Sequence, residues 1–471
     1  MDLVHSSTIF PKQFLWGASS SSFQFEGAMK EGGRGPSVID GFRLNDSVTD
    51  FEHGSNHYHL WKEDIALANE AGLKSYRFSI SWTRIFPHGS GAINPEGIRF
   101  YDELINELIK YKIEPVVTIY HFDYPQGLVD EYGGWTNRRS IEDYVNYCRF
   151  LFETYGDRVK YWLTINEQDH VFRIAPRLGL TGKEENFRQL QYQANHHMCV
   201  ASARAFALCR EMIPGAKIGP ALSYMPIYPA TSAPQDIMAA ADMESLMMSY
   251  LCELQCRGKY GIRFMKYLSD RNAVPDIQSG DMELMRDNPP DFLGINYYTT
   301  ICVEYNPPTV ENVIGRIEGA LIPAAEYGIY KTVKNPHLPM SKFGWAIDAS
   351  GIRLLLENLY ERYNLPLMIT ENGLGALDNF ENKTVKDDYR IAYLQEHLKQ
   401  IHLAMATGVE VIGYNLWSFI DLVSGREGSS KRYGLVYVNR DEFDLKDMKR
   451  YKKDSFYWYQ KIIESDGASL Y

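Results

Sequence analysis

Eight short β-rich runs alternate with amphipathic helical patterns, and no compositional break or low-complexity linker separates them. This predicts an α/β protein with the chain 1–471 as one domain: a single-domain (β/α)8 TIM barrel with long βα loops. The runs are near-continuously apolar, as parallel strands buried on both faces must be. Polar and charged residues collect where the runs end, which in such a barrel is one shared mouth. A length of 471 residues would otherwise suggest several domains, but barrels of this kind run long as a single unit.

The first run is FLWGAS (14–19), followed by SYRFSISW (75–82), which begins at Ser75 and carries Arg77. EPVVTIYH (114–121) ends at His121, and YWLTINE (161–167) at Asn166 and Glu167. KIGPALSY (217–224) is the fifth; FLGINYY (292–298) closes with Asn296 and Tyr298. PLMITENG (366–373) holds Glu371 and Asn372, and VIGYNLWS (411–418) holds Trp417. Between them, Ile98, Tyr101, Ile105, Leu108 and Ile109 recur at helical spacing, as do Ile141, Val145, Cys148, Leu151 and Tyr155. The proline-bearing stretch 301–344 has no clear periodicity and reads as a candidate lid.

Composition narrows the function classes. A formal net charge of -11 argues against general nucleic-acid binding. No stretch reaches the length of a membrane span, and the opening MDLVHSSTIFPKQF has no basic region followed by an apolar run, so neither a membrane anchor nor a signal peptide is expected. Six cysteines without a C-x-x-C pair read as reduced core residues of a cytoplasmic protein. The 33 Tyr and 8 Trp suit carbohydrate contacts, although most must fill core.

Glu167 and Glu371 end non-adjacent runs, so both face one cavity. Cleavage of a glycosidic bond requires such a pair, one group to protonate the leaving oxygen and one to attack or to activate water. A separation of about 5–5.5 Å would retain the anomeric configuration. Arg77 and Tyr298 can hold one carboxylate ionised and lower its pKa. The other, with no cation named in its own motif, can stay protonated as the acid. Glu371 is assigned as nucleophile and Glu167 as acid/base.

The segments FLWGASSSSFQFEGA, YRFSISWTRIFP, YHFDYPQGL, TINE, FLGINYYT, ITENG and WSFIDLVSGREGSSKRYGLVYV, taken in order, resemble glycoside hydrolase family 1 from residue 14 to the end. The resemblance implies a retaining mechanism on β-glycosides. It also implies that Gln24, His121, Asn166 and Trp417 line the glycone subsite, with Trp345 on the aglycone side; Arg77 and Asn296, at the mouth of the barrel, are read as support for the two carboxyls. The chain departs from the family's frequent NEP by reading NEQDH (166–170), which leaves Glu167 its role but makes leaving-group preference its own. A glutamine in the acid position, as in members acting on thioglucosides, is excluded by Glu167.

The loop LVSGREGSSKRYG (422–434) carries Arg426, Lys431 and Arg432 in an acidic protein. Family members acting on plain sugars have a glutamate where Ser424 stands. Members acting on 6-phosphorylated sugars resemble this chain in holding the phosphate with a serine, a lysine and a tyrosine, here Ser424, Lys431 and Tyr433. The charge logic agrees, because a phosphate monoester carries about -1.5 to -2 near neutral pH and meets donors and a cation instead of a carboxylate. Gly425, where galactosidase-like members tend to carry Trp, favours gluco over galacto substrates. Arg426 and Arg432 receive no role.

The resemblance therefore implies a 6-phospho-β-glucosidase that yields glucose 6-phosphate in the cytoplasm. No metal or organic cofactor is expected, since two carboxylates supply the chemistry, and oligomerisation stays open. The alternatives are an unphosphorylated β-glucosidase or β-galactosidase, a 6-phospho-β-galactosidase, and a non-catalytic sugar-binding barrel.

Overall fold

All eight expected runs form strands. We number them β1 (Leu15–Ser19), β2 (Ser75–Ser79), β3 (Glu114–Tyr120), β4 (Tyr161–Asn166), β5 (Lys217–Ser223), β6 (Leu293–Asn296), β7 (Leu367–Asn372) and β8 (Val411–Trp417). The structure is a computed structural model that describes residues 9–43, 46–308 and 324–471. Each strand pairs in parallel with its neighbours, and β1 closes the ring against β8. Helices cover the outside: Pro95–Lys110 and Arg139–Tyr155 carry the two apolar stripes read from the sequence. Ile109 is the exception, 39% exposed at the end of its helix.

Val116, Leu163, Ala221, Phe292 and Met368, drawn from or beside five strands, pack together inside the barrel toward the strands' N-terminal ends. This plug leaves the C-terminal ends free to carry polar groups. There the ladder is irregular at the functional positions: the register shifts between Leu163 and Asn166 against β5, and between Ile369 and Glu371 against β6. Such bulges re-aim side chains that strict alternation would point elsewhere.

The stretch 301–344 is more ordered than its sequence suggested. Ile301–Glu304, Ala325–Glu326 and Tyr330–Val333 join Ile227–Pro229 in a separate four-stranded sheet, because the extended residues find partners on a segment far away in sequence. Residues 309–323 of the expected lid, and residues 1–8 of the opening stretch, lie outside the described residues. Five cysteines are buried, Cys256 is partly buried, and all six are free. No helix among the described residues is long and apolar enough to cross a membrane.

Candidate active site

The mouth of the barrel opens into a cleft of about 910 Å³, solvent-open space included, and both glutamates line it. Glu371 leaves β7 between two donors: Arg77 Nη1 reaches Oε1 at 2.5 Å, and the Tyr298 hydroxyl donates to Oε2 at 2.6 Å. Arg77 is fully buried; its Nη2 donates to Asn166 Oδ1 at 2.6 Å and its Nε to Thr118 Oγ1 at 3.0 Å. Asn296 Nδ2 donates to both Asn166 Oδ1 (3.0 Å) and Glu167 Oε1 (3.2 Å), while its own oxygen accepts from Thr370 Oγ1. One polar network thus spans the two carboxyls.

Glu167 sits just past β4 with φ 42° and ψ 56°, left-handed values that a non-glycine residue seldom adopts. Its N–H is tied to Ala221 O at 2.7 Å, which holds the turn in place. The helix Gln168–Arg173 begins immediately after it. His170 is therefore one turn away on the same side, with Nδ1 2.8 Å from Glu167 Oε2.

The expectation that Glu167 has no cation in its own motif is overturned by that histidine. Burial would raise the Glu167 carboxyl, but the charge and hydrogen bond of His170, helped by Asn296 and Arg177, bring it below its ordinary value. Glu371 goes the other way. Burial raises it to about 7 against the pull of Arg77, and the charge of Glu167 adds to the rise. The expectation that Arg77 and Tyr298 leave one carboxyl with a lowered pKa fails because desolvation outweighs them. The two groups compete for a proton as one coupled unit.

His121, from the end of β3, stacks on Trp417 (centroids 6.1 Å apart) and stands 2.9 Å from Asn166 Nδ2 through Nε2. Burial first, then Arg77 and Arg177, keep it well below its usual pKa. As a neutral ring it accepts from Asn166. Gln24 accepts from Ser21 Oγ and donates to Val423 O at 2.8 Å, pinning the residue before Ser424.

The loop after β8 brings Ser424, Lys431 and Tyr433 to the same cleft. Lys431 Nζ is buried, makes an ion contact with Glu427 Oε2 at 3.4 Å, and lies 3.9 Å from the Trp345 ring centroid, with the Phe343 and Tyr433 rings at 4.7 and 5.6 Å. Burial lowers its pKa to about 8. Trp345, expected toward the aglycone, packs on Lys431 and Tyr298. Gly375 makes room for this cluster: a Cβ there would fall 2.6 Å from Lys431 Cε and 2.9 Å from Tyr433 Cζ.

Three features of this loop were missed in the sequence. Glu427 places its carboxylate 2.9 Å from Ser424 Oγ and 3.4 Å from Lys431 Nζ, so an internal anion occupies two of the three groups assigned to phosphate. Arg432 faces away from the cleft and donates to Asp421 Oδ2 at 2.9 Å and to Val438 O at 3.0 Å, as a buried brace. Glu442 accepts from Ser429 and Ser430 and fixes the far side of the loop. Gly428 adopts φ +63° there, and a Cβ on it would overlap Glu442. Arg426, half-buried, does line the cleft. Acid spacing was the available signal: Glu427 is three residues after Ser424 and four before Lys431, and His170 is three after Glu167. Among the described residues no group of three His, Cys, Asp or Glu side chains could hold a metal ion.

The sequence matches the description "Glycosyl hydrolase family 1" over residues 6–468. The chain belongs to this family. It is 46% identical to the aryl-phospho-β-D-glucosidase BglC of Bacillus subtilis over 98% of both chains, and 39% identical to a 6-phospho-β-glucosidase of Clostridium longisporum over 98% of both. Among solved structures, a β-glucosidase of Thermotoga maritima in complex with glucoimidazole superposes with a TM-score of 0.87 at 34% identity, covering 98% of this chain and 100% of that one. Membership makes the chain a glycoside hydrolase. Relatives named with the phosphate and a solved structure named without it both match nearly the whole chain, so substrate choice rests on local differences such as the loop after β8.

Proposed function

We propose that the protein, acting as one catalytic unit over residues 1–471, hydrolyses 6-phospho-β-D-glucosides to glucose 6-phosphate and an aglycone by double displacement. The observation that carries this reading is Lys431, a buried ammonium on the cleft wall beside Ser424 and Tyr433, whose ion contact to Glu427 is a long one at 3.4 Å. One carboxylate at that distance offsets only part of the cost of burying the cation, and a phosphate supplies more charge and more acceptors. The names of the relatives in Bacillus subtilis and Clostridium longisporum support the same substrate class. Glu427 withdraws from Ser424 and Lys431 when the phosphate enters.

In this reading Glu371 attacks the anomeric carbon while Glu167 protonates the departing oxygen, giving a covalent glycosyl-enzyme. Glu167 then takes a proton from water, whose oxygen attacks the same carbon and releases Glu371. Arg77 and Tyr298 hold Glu371 in line, and Asn166, Gln24, His121 and Trp417 receive the sugar. Substrates of this kind arise by phosphorylation inside the cell, so we place the enzyme in the cytoplasm.

Product stereochemistry tests the mechanism. Proton NMR during early turnover of an aryl 6-phospho-β-glucoside should show the β anomer of glucose 6-phosphate first, with the α anomer growing in by mutarotation. Initial appearance of the α anomer would contradict double displacement.

A further inference from the structure

His170 is the feature of the site that the family resemblance does not account for. Its ring lies between two carboxylates: Nδ1 is 2.8 Å from Glu167 Oε2, and Nε2 is 3.4 Å from Asp169 Oδ2, an ion contact without a hydrogen bond. The side chain is 13% exposed, and Asp169 is buried behind it with neither carboxylate oxygen hydrogen-bonded among the described residues. A neutral imidazole carries one N–H and would turn a bare nitrogen toward one of the two anions. The imidazolium carries an N–H on each side and suits both.

We infer that His170 is a positioning residue that holds Glu167 as a carboxylate in the resting enzyme, and thereby makes the enzyme selective for aglycones that leave without prior protonation, above all phenols. This rests on the proposed role of Glu167 as acid/base and is independent of the phosphate site. The charged groups that face His170 are Glu167 and Asp169 from its own turn, with Arg173 3.9 Å from Asp169 and Arg177 lining the same cleft. Glu371 lies beyond Glu167 in the same network. Burial lowers the His170 pKa, but Asp169 and Glu167 outweigh it and leave the ring above its ordinary value.

The chemistry follows from proton accounting. In the first half-reaction the C1–O bond breaks as Glu371 bonds to C1. A phenolate leaves with its electron pair and takes a proton from water later, whereas an alkoxide from a sugar must receive the Glu167 proton as it departs. In the second half-reaction Glu167 must be ionised to accept a proton from the attacking water, and His170 favours that form. The histidine thus assists the step common to all substrates and handicaps the first step only for poor leaving groups.

The test compares p-nitrophenyl 6-phospho-β-glucoside with cellobiose 6-phosphate at pH 7.5, in the wild-type enzyme and in His170→Gln. An opposite charge at this distance shifts a carboxyl by about 1–3 units, and each unit is about tenfold in protonated fraction. The variant should therefore raise kcat/KM for the disaccharide relative to the aryl substrate by about tenfold or more. A ratio that does not change, with both activities falling together, would overturn the proposal and leave His170 a merely structural residue. Should the variant fail to fold, wild-type enzyme carries the test alone: the disaccharide-to-aryl ratio should fall by about tenfold or more from pH 5 to 7.5, and a constant ratio would overturn the proposal. Glu167→Gln, assayed beside these, separates the two readings, because loss of disaccharide turnover in it upholds the acid/base role whatever His170→Gln does.

Discussion

Glu371→Gln is expected to lower kcat on an aryl 6-phospho-β-glucoside by about 10⁴- to 10⁶-fold, the range seen when a nucleophile or its close partner is removed, with the far-UV circular dichroism spectrum unchanged. The amide cannot form the glycosyl-enzyme, and among the described residues no other carboxylate stands between Arg77 and Tyr298. The fold survives because Arg77 keeps Asn166, Thr118 and Thr370 O as acceptors, and the glutamine oxygen still accepts one bond. In the wild-type enzyme the attacking form is the carboxylate, and burial holds Glu371 at about 7. Activity on aryl substrates should accordingly decline as pH falls below about 7. Residual turnover within tenfold of wild type would remove Glu371 from the mechanism.

The second large effect is at the other end of the sugar. Lys431→Ala should raise KM for the phosphorylated substrate by about 30-fold to several thousand-fold, because truncating one partner of a buried charge pair costs about 2–5 kcal/mol. kcat should change much less, since the phosphate is remote from the bonds that break. The sign of the pH effect follows from burial. Lys431 is lowered to about 8, so its charged fraction falls as pH rises through that value and the preference for the phosphorylated substrate should weaken above it. The variant should lose this dependence. A KM within threefold of wild type would remove Lys431 from the phosphate subsite.

These two residues illustrate what the sequence made legible. A glutamate at the end of ITEN and a lysine seven residues after a serine are visible because strand ends and loop spacing are local properties. The barrel was equally legible, since each of its strands is a contiguous apolar run. What escaped depends on contacts made by folding. The left-handed turn at Glu167 rests on a bond to Ala221 of the next strand, and only that turn aims His170 back at the carboxyl. Arg432 looked like one more cation of a basic loop until Asp421, eleven residues earlier, drew it inward. Of the strands within 301–344, Ile301–Glu304 pairs with the distant Ile227–Pro229 and the other two build outward from it, so none carries a periodicity of its own. The pKa order of the two glutamates was not legible either, because it is set by burial, which no motif records.

On the proposed reading, Glu427 is exchanged for the phosphate. With its carboxylate on Ser424 and near Lys431, the resting site satisfies part of its own charge, and the positive loop of an acidic protein needs no bound anion to persist. Selectivity then depends on the difference between that internal carboxylate and an incoming phosphate with more charge and more acceptor oxygens. An unphosphorylated sugar offers no such gain.

The most direct measurement of the central claim is kcat/KM of the wild-type enzyme for p-nitrophenyl β-glucoside with and without the 6-phosphate, at pH 7. Loss of a buried charge-assisted interaction of about 2–5 kcal/mol predicts a preference of at least about 30-fold for the phosphorylated compound. Equal rates, or faster turnover of the plain glucoside, would contradict the assignment of Ser424, Lys431 and Tyr433 and return the enzyme to the unphosphorylated β-glucosidases of its family.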